Sequence, residues 1–151
     1  MTNKQEVTIL LVEDDPGHAR LIEKNLRRSG ITNEIVKAFD GQEAIDYLFG
    51  DGKHAGAKHP SPMMVLLDLN LPVLDGYQVL RRMKGDERTK YIPAVILTTT
   101  DDAREVARCY DLGCNVYVTK PVDYEQFSEA IGKLGLFLAV VTVPAGKKGS
   151  L

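Results

Sequence analysis

The chain has 151 residues, enough for one well-buried domain and too few for two ordinary ones. Lysine plus arginine total 19 against 21 aspartate plus glutamate, a net charge of −2, and 44% hydrophobic with 26% charged residues excludes a disordered chain. No Lys/Arg-rich block calls for nucleic acid or an anionic membrane, MTNKQEV is no export signal, and no apolar run approaches the roughly 18 residues of a membrane span. A cytoplasmic protein is the expectation. In chain order, Val7 to Val12 is apolar without alternation, as a strand buried on both faces of a parallel sheet reads. Asp15 and Pro16 then form an N-cap and first helical position, with Ala19, Ile22 and Leu26 as a narrow stripe and Gly30 closing the helix. Ile35 to Ala38, with Glu34 and Lys37, reads as an edge strand, and Asp40-Gly41 opens a second helix through Leu48. Gly50 to Pro62, rich in Gly, His, Lys and Pro, predicts a long loop.

Met63 to Leu67 is a further strand, and Gly76, Val79, Leu80 and Met83 follow at the i, i+3, i+4, i+7 spacing of a helix. Ala94 to Leu97 is a fourth strand, and Ala103, Val106, Ala107 and Tyr110 repeat the helical spacing after it. Val116 to Val118 and a helix carrying Phe127, Ala130, Ile131, Leu134 and Leu138 complete the series. Thr142 to Leu151 reads as a Pro/Gly/Lys tail. Cys109 and Cys114 lack the CxxC spacing of a redox or zinc site and are expected as small buried residues. Strand followed by helix five times over specifies an α/β fold with right-handed crossovers and helices on both faces. The functional crevice of such a sheet lies beyond the C-terminal ends of its strands.

Those ends carry the chemistry. The first is Glu13-Asp14-Asp15, the third Asp68-Leu69-Asn70-Leu71-Pro72, the fourth Thr98-Thr99-Thr100 and the fifth Thr119-Lys120-Pro121. Each has a plainer reading alone: a helix cap with solvated neighbours, a turn, an isolated Lys-Pro. Brought together, Glu13, Asp14 and Asp68 would repel one another and raise at least one pKa unless a cation intervened. Hard oxygen ligands without nearby His or Cys suit Mg²⁺, and Lys120 adds a compact positive charge. A carboxylate nucleophile, a divalent metal and a lysine are what phosphoryl transfer to an aspartate requires.

LLVEDD at 10–15, LLDLNLPVLDG at 66–76, ILTTT at 96–100 and YVTKP at 117–121 together resemble the receiver domains of two-component response regulators, over residues 7 to 138. The resemblance implies a flavodoxin-like (CheY-like), doubly wound five-stranded parallel sheet of order 2-1-3-4-5 with five flanking helices. It implies an N-terminal segment at 1–6, the receiver domain at 7–138 with its long loop at 50–62, and an extension at 139–151 without an output domain. Within it Asp68 is the phosphoacceptor, Asp14 a direct Mg²⁺ ligand, Glu13 a ligand acting largely through water, and Asn70 the donor of a backbone carbonyl to the metal. Thr98 is the hydroxyl that moves to the phosphoryl group, Lys120 the family's lysine, with Pro121 after it in a cis peptide in most members. Tyr117 is the aromatic that turns as Thr98 moves. The expected partner is a sensor histidine kinase, and the long loop and VVTVPA resemble regulators paired with cyanobacterial and bacterial phytochromes. Such relatives dimerise through the face of the fourth helix, fifth strand and fifth helix and through the C-terminal extension, which Phe137, Leu138, Val140, Val141 and Val143 would suit. No nucleic acid, membrane or enzymatic turnover is expected. Two other readings compete. A haloacid-dehalogenase-type phosphatase would want a second aspartate where Asn70 stands. A receiver fold used as a phosphorylation-independent interaction module would have no need of the intact acid, hydroxyl and lysine set.

Overall fold

The computed structural model describes residues 8–28, 31–50, 64–120 and Glu125, together with the backbone of Lys4–Glu6, Met63 and Thr142–Pro144. The elements in chain order are β1 (Lys4–Glu6), β2 (Thr8–Val12), α1 (Pro16–Arg28), β3 (Ile35–Ala38), α2 (Gly41–Phe49), β4 (Met63–Asp68), α3 (Gly76–Lys84), β5 (Ala94–Thr98), α4 (Ala103–Asp111), β6 (Val116–Thr119) and β7 (Thr142–Pro144). Five strands form a parallel sheet in the order β3-β2-β4-β5-β6, which is 2-1-3-4-5 when those five are counted alone. This is the expected doubly wound architecture. Four of its helices lie among the described residues; the fifth, expected over 127–138, lies outside them, as do the loop at 51–62, Gly30 and Pro121.

The unbroken apolar runs become strands with both faces covered. In β2, β4 and β5, alternate side chains enter two separate cores: Leu10, Val12, Val65, Leu67 and Ile96 pack with α2 and α3, while Ile9, Leu11, Leu66, Val95 and Leu97 pack with Ala19, Ile22 and Leu26 of α1. Each fully buried Leu or Ile contributes about 1.5–3 kcal/mol relative to exposure, which fixes register and strand order more firmly than any single polar contact. β3 is half-buried over Ile35, Val36 and Lys37, as its charged residues predicted for an edge.

Helix starts follow from side-chain chemistry. Asp15 Oδ1 accepts the N–H groups of Gly17 and His18 at 2.8 and 3.2 Å, and Asp40 caps α2 by accepting the Glu43 N–H at 2.7 Å. Asp75 and Gln78 form a capping box at the start of α3. α2 ends on Gly50 in the left-handed region, φ 72°, where glycine carries no steric penalty. A Cβ on Gly76 would lie 2.4 Å from the Asp68 carbonyl oxygen, so glycine lets α3 start directly against the end of β4.

Two features go beyond the sequence reading. The stripe Ala103, Val106, Ala107 and Tyr110 lies on a helix, but Ala103, Ala107 and Tyr110 are exposed, Tyr110 at 49%; α4 docks through the buried Cys109, with Glu105, Val106 and Leu112 half-buried. The segments taken as an N-terminal lead and a tail contain β1 and β7, which pair antiparallel with Gln5 opposite Val143. Both cysteines are buried and free, and burial pushes their thiols up, Cys109 to about 11 and Cys114 to about 12, leaving them protonated and unreactive. No helix among the described residues is long and apolar enough to cross a membrane.

Candidate functional site

Parallel register sets the strand ends level. Val12 pairs with Leu67, so the residues one step on, Glu13 and Asp68, emerge side by side. Asp68 pairs with Leu97 and Thr98 with Thr119, so Thr98 and Lys120 follow on the next two strands. The switch point falls between β2 and β4, whose connections leave in opposite directions. A crevice of about 250 Å³ opens there, lined by Glu13, Asp14, Asp15, His18, Asp68, Asn70, Thr99 and Lys120.

Lys120 organises the crevice. Its ammonium donates to Glu13 Oε1, to Asp68 Oδ2 at 3.2 Å and to His18 Nδ1 at 3.2 Å. Asp68 is buried, and its other oxygen, Oδ1, accepts the Asn70 N–H at 3.1 Å. Glu13 Oε2 accepts the Asp15 N–H at 3.1 Å. Burial drives the Glu13 carboxyl above its ordinary value of 4.5, and the Asp68 charge pushes the same way against the Lys120 hydrogen bond. Asp15 is held below the usual carboxylate range by the His18 and Gly17 N–H groups it caps. Asp14 is exposed.

Glu13, Asp14 and Asp68 each offer a carboxylate oxygen within 4.8 Å of the other two, the one such group of acids among the described residues. Three carboxylates face one ammonium, so negative charge is left over, and the donors are all hard oxygens. That set fits a divalent cation of the Mg²⁺ type.

The structure therefore brings Glu13, Asp14, Asp68, Asn70 and Lys120 together as expected. Thr98 and Tyr117 lie outside the lining. Thr98 is fully buried and its hydroxyl accepts the Thr100 N–H at 3.5 Å, while the Tyr117 hydroxyl donates to the Thr100 carbonyl at 2.7 Å. Burial pushes the Tyr117 phenol up to about 12, so it remains a donor. Thr100 thus joins the two residues from opposite sides. Of the other lining residues, the sequence places Asp15 and Thr99 at strand ends without assigning them a role in the crevice, and it misses His18, against the expectation of no nearby imidazole. The signal for His18 was its place in the first turn of the helix that leaves the acidic strand end.

An open five-stranded sheet with its acid crevice at the switch point defines a flavodoxin-like, CheY-like α/β protein. Residues 9–132 match the response regulator receiver domain model, and the chain belongs to that family. The chain is 37% identical over 138 residues to the response regulator Rcp1 of Synechocystis sp. (strain ATCC 27184 / PCC 6803 / Kazusa), spanning 91% of this chain and 92% of Rcp1. A solved Mn²⁺-bound form of Rcp1 superimposes with a TM-score of 0.76 at 36% identity, over 92% of this chain and 99% of that one. The bacteriophytochrome response regulator RtBRR gives a TM-score of 0.81 at 39% identity, covering 88% of this chain and 80% of its own. A response regulator receiver domain from Rhodospirillum rubrum gives 0.75 at 56% identity, over 91% and 97% of the two chains.

Proposed function

We propose that the protein accepts a phosphoryl group on Asp68 from the phosphohistidine of a sensor kinase, in a Mg²⁺-dependent reaction, and signals through contacts with other proteins. The observation that carries this reading is the buried Asp68 carboxylate, held at 3.2 Å by Lys120 inside a cluster of three acids. An Asp68 oxygen attacks phosphorus in line, the P–N bond to the donor imidazole breaks, and the imidazole leaves with its electron pair and takes up a proton. Lys120, already on Asp68 Oδ2, neutralises a phosphoryl oxygen as the group arrives. Glu13, Asp14, Asp68 and the Asn70 backbone carbonyl would hold the cation, which supplies charge neutralisation at the phosphoryl oxygens when bound. His18 and Asp15 close the side of the crevice formed by α1.

Phosphorylation adds close to two negative charges at Asp68 and makes a strong acceptor there. The Thr98 hydroxyl moves toward it and gives up the Thr100 N–H; the loop shift then frees the Thr100 carbonyl from Tyr117. Tyr117 turns, and the face of α4 and β6 changes shape. The outward stripe of α4 gives that face apolar contact area for a partner or a second copy. The likeness to the bacteriophytochrome response regulator RtBRR supports a phytochrome as the kinase, and membership of the receiver family supports the cytoplasm as the compartment and signalling without turnover as the role.

Incubation with Mg²⁺ and a small acyl phosphate tests the reading. Wild-type protein takes up one acid-stable, hydroxylamine-labile phosphoryl group, and Asp68→Asn takes up none. Label that survives in Asp68→Asn removes Asp68 from the role.

A further inference from the structure

His18 belongs to no strand-end motif, yet it lies on the crevice. As the third residue of α1, after the Asp15 cap and Pro16, it stands in the turn that leaves β2 at Glu13. Its Nδ1 is 3.2 Å from the Lys120 ammonium, across 102 residues of sequence. Glu13 Oε2 and Asp15 Oδ2 are both 3.9 Å from the same nitrogen, beyond hydrogen-bond reach. An ammonium has three donors and no acceptor, so His18 Nδ1 must present a lone pair and Nε2 must carry the ring proton. Lys120 thereby has all three donors placed: Glu13, Asp68 and His18.

We infer that His18 is a positioning residue for Lys120, a neutral third acceptor that aims the ammonium at Asp68. The inference rests on the phosphoacceptor reading above, and its physical reason is charge. A fourth carboxylate would hold the amine too, but it would deepen the repulsion among Glu13, Asp14 and Asp68 and oppose the incoming phosphoryl group. An imidazole nitrogen adds a lone pair without charge. It also keeps Lys120 anchored when a cation draws Glu13 away, because Asp68 and His18 then remain as its partners. His18 is half-exposed at the mouth, with 43% of its side chain accessible, so it shapes the approach without plugging the crevice.

The test uses two substitutions in the full chain. His18→Leu fills the space and removes the acceptor; His18→Asn places an amide oxygen where Nδ1 stands. With Mg²⁺ and a small acyl phosphate, His18→Leu is expected to label about fivefold more slowly, the order of one lost hydrogen bond. His18→Asn should return the rate to within about twofold of wild type, and both should bind Mg²⁺ as wild type does. Exchange of the Lys120 ammonium protons with water, followed by NMR in unphosphorylated protein, should quicken in His18→Leu and recover in His18→Asn. Wild-type labelling by His18→Leu, or His18→Asn as slow as His18→Leu, overturns the inference. Absence of label in wild-type protein overturns the phosphoacceptor reading instead, and the ammonium exchange still decides the role of His18.

Discussion

Glu13 bears the conflict of the crevice: it is buried, bonded to Lys120 and adjacent to Asp68. Its carboxyl is raised above 4.5 in the fold, so the folded chain binds that proton more tightly than the unfolded chain. The group's contribution to stability is therefore complete below the unfolded value and is lost as pH climbs through the raised one. In chelator, Glu13→Gln should melt above wild type at pH 7, with the gap closing as pH falls toward the ordinary glutamate range; thermal melts across that range check it, and a gap that widens in acid contradicts it. Val73 holds a different conflict. Its φ is +71°, its side chain is 76% exposed, and the Leu74 N–H reaches back to the Pro72 carbonyl at 2.8 Å. A β-branched residue in the left-handed region costs about 1–2 kcal/mol, and this side chain regains little by packing. Val73→Asn should raise stability by about 1 kcal/mol, measured by urea unfolding, because asparagine tolerates that conformation. Glu13, Asp14, Asp68 and Lys120 were legible because each stands one or two steps past an apolar run. Val73 was not, since nothing in LPVLDG marks a left-handed position, and His18 was not, because its partner is Lys120 at the far end of the sheet.

At the scale of elements, period and capping residues located every described helix of the large sheet, while the docking side of α4 eluded them. Helical spacing says that a stripe shares one face; it does not say which face meets the sheet. In α3 the stripe Gly76, Val79, Leu80 and Met83 is buried, whereas in α4 Ala103, Ala107 and Tyr110 of the equivalent stripe are exposed, Val106 is half-buried and Cys109 takes the buried place. Alanine carries too little apolar surface to decide the orientation, and Cys109 packs as a small hydrophobe. The two stripes should respond oppositely to substitution. Leu80→Ala should cost about 2–5 kcal/mol as a core cavity, and Ala107→Glu should stay within about 0.5 kcal/mol of wild type. Equilibrium unfolding of both variants checks the contrast. Sedimentation of Ala107→Glu after phosphorylation then reports whether the outward stripe serves the proposed contact. β1 and β7 eluded the sequence for another reason: each is three residues long, and their pairing joins opposite ends of the chain.

At the scale of the whole molecule, two cores on the faces of one parallel sheet make a frame whose strand ends stay level, and the charge strain is confined to one end of it. The net charge of −2 hides this, because it averages the crevice acids with lysines and arginines elsewhere. Where Glu13, Asp14 and Asp68 converge, the folded chain holds carboxylates closer together than the unfolded chain does. A cation that binds only the folded arrangement must therefore stabilise the entire domain, by RT ln(1 + [L]/Kd), or about 2.7 kcal/mol at a hundredfold excess over Kd. For a domain of this size that amounts to a rise in Tm of about 5–10 °C. Asp14 is the informative residue to remove. It is exposed, unlike Glu13 and Asp68, so Asp14→Asn should leave the metal-free Tm within a few degrees of wild type. The same substitution takes away one of the three carboxylate charges of the crevice and should abolish most of the Mg²⁺-dependent rise. Calorimetry with and without chelator measures both quantities. An undiminished rise in Asp14→Asn would mean that the cation stabilises the fold from somewhere other than this crevice.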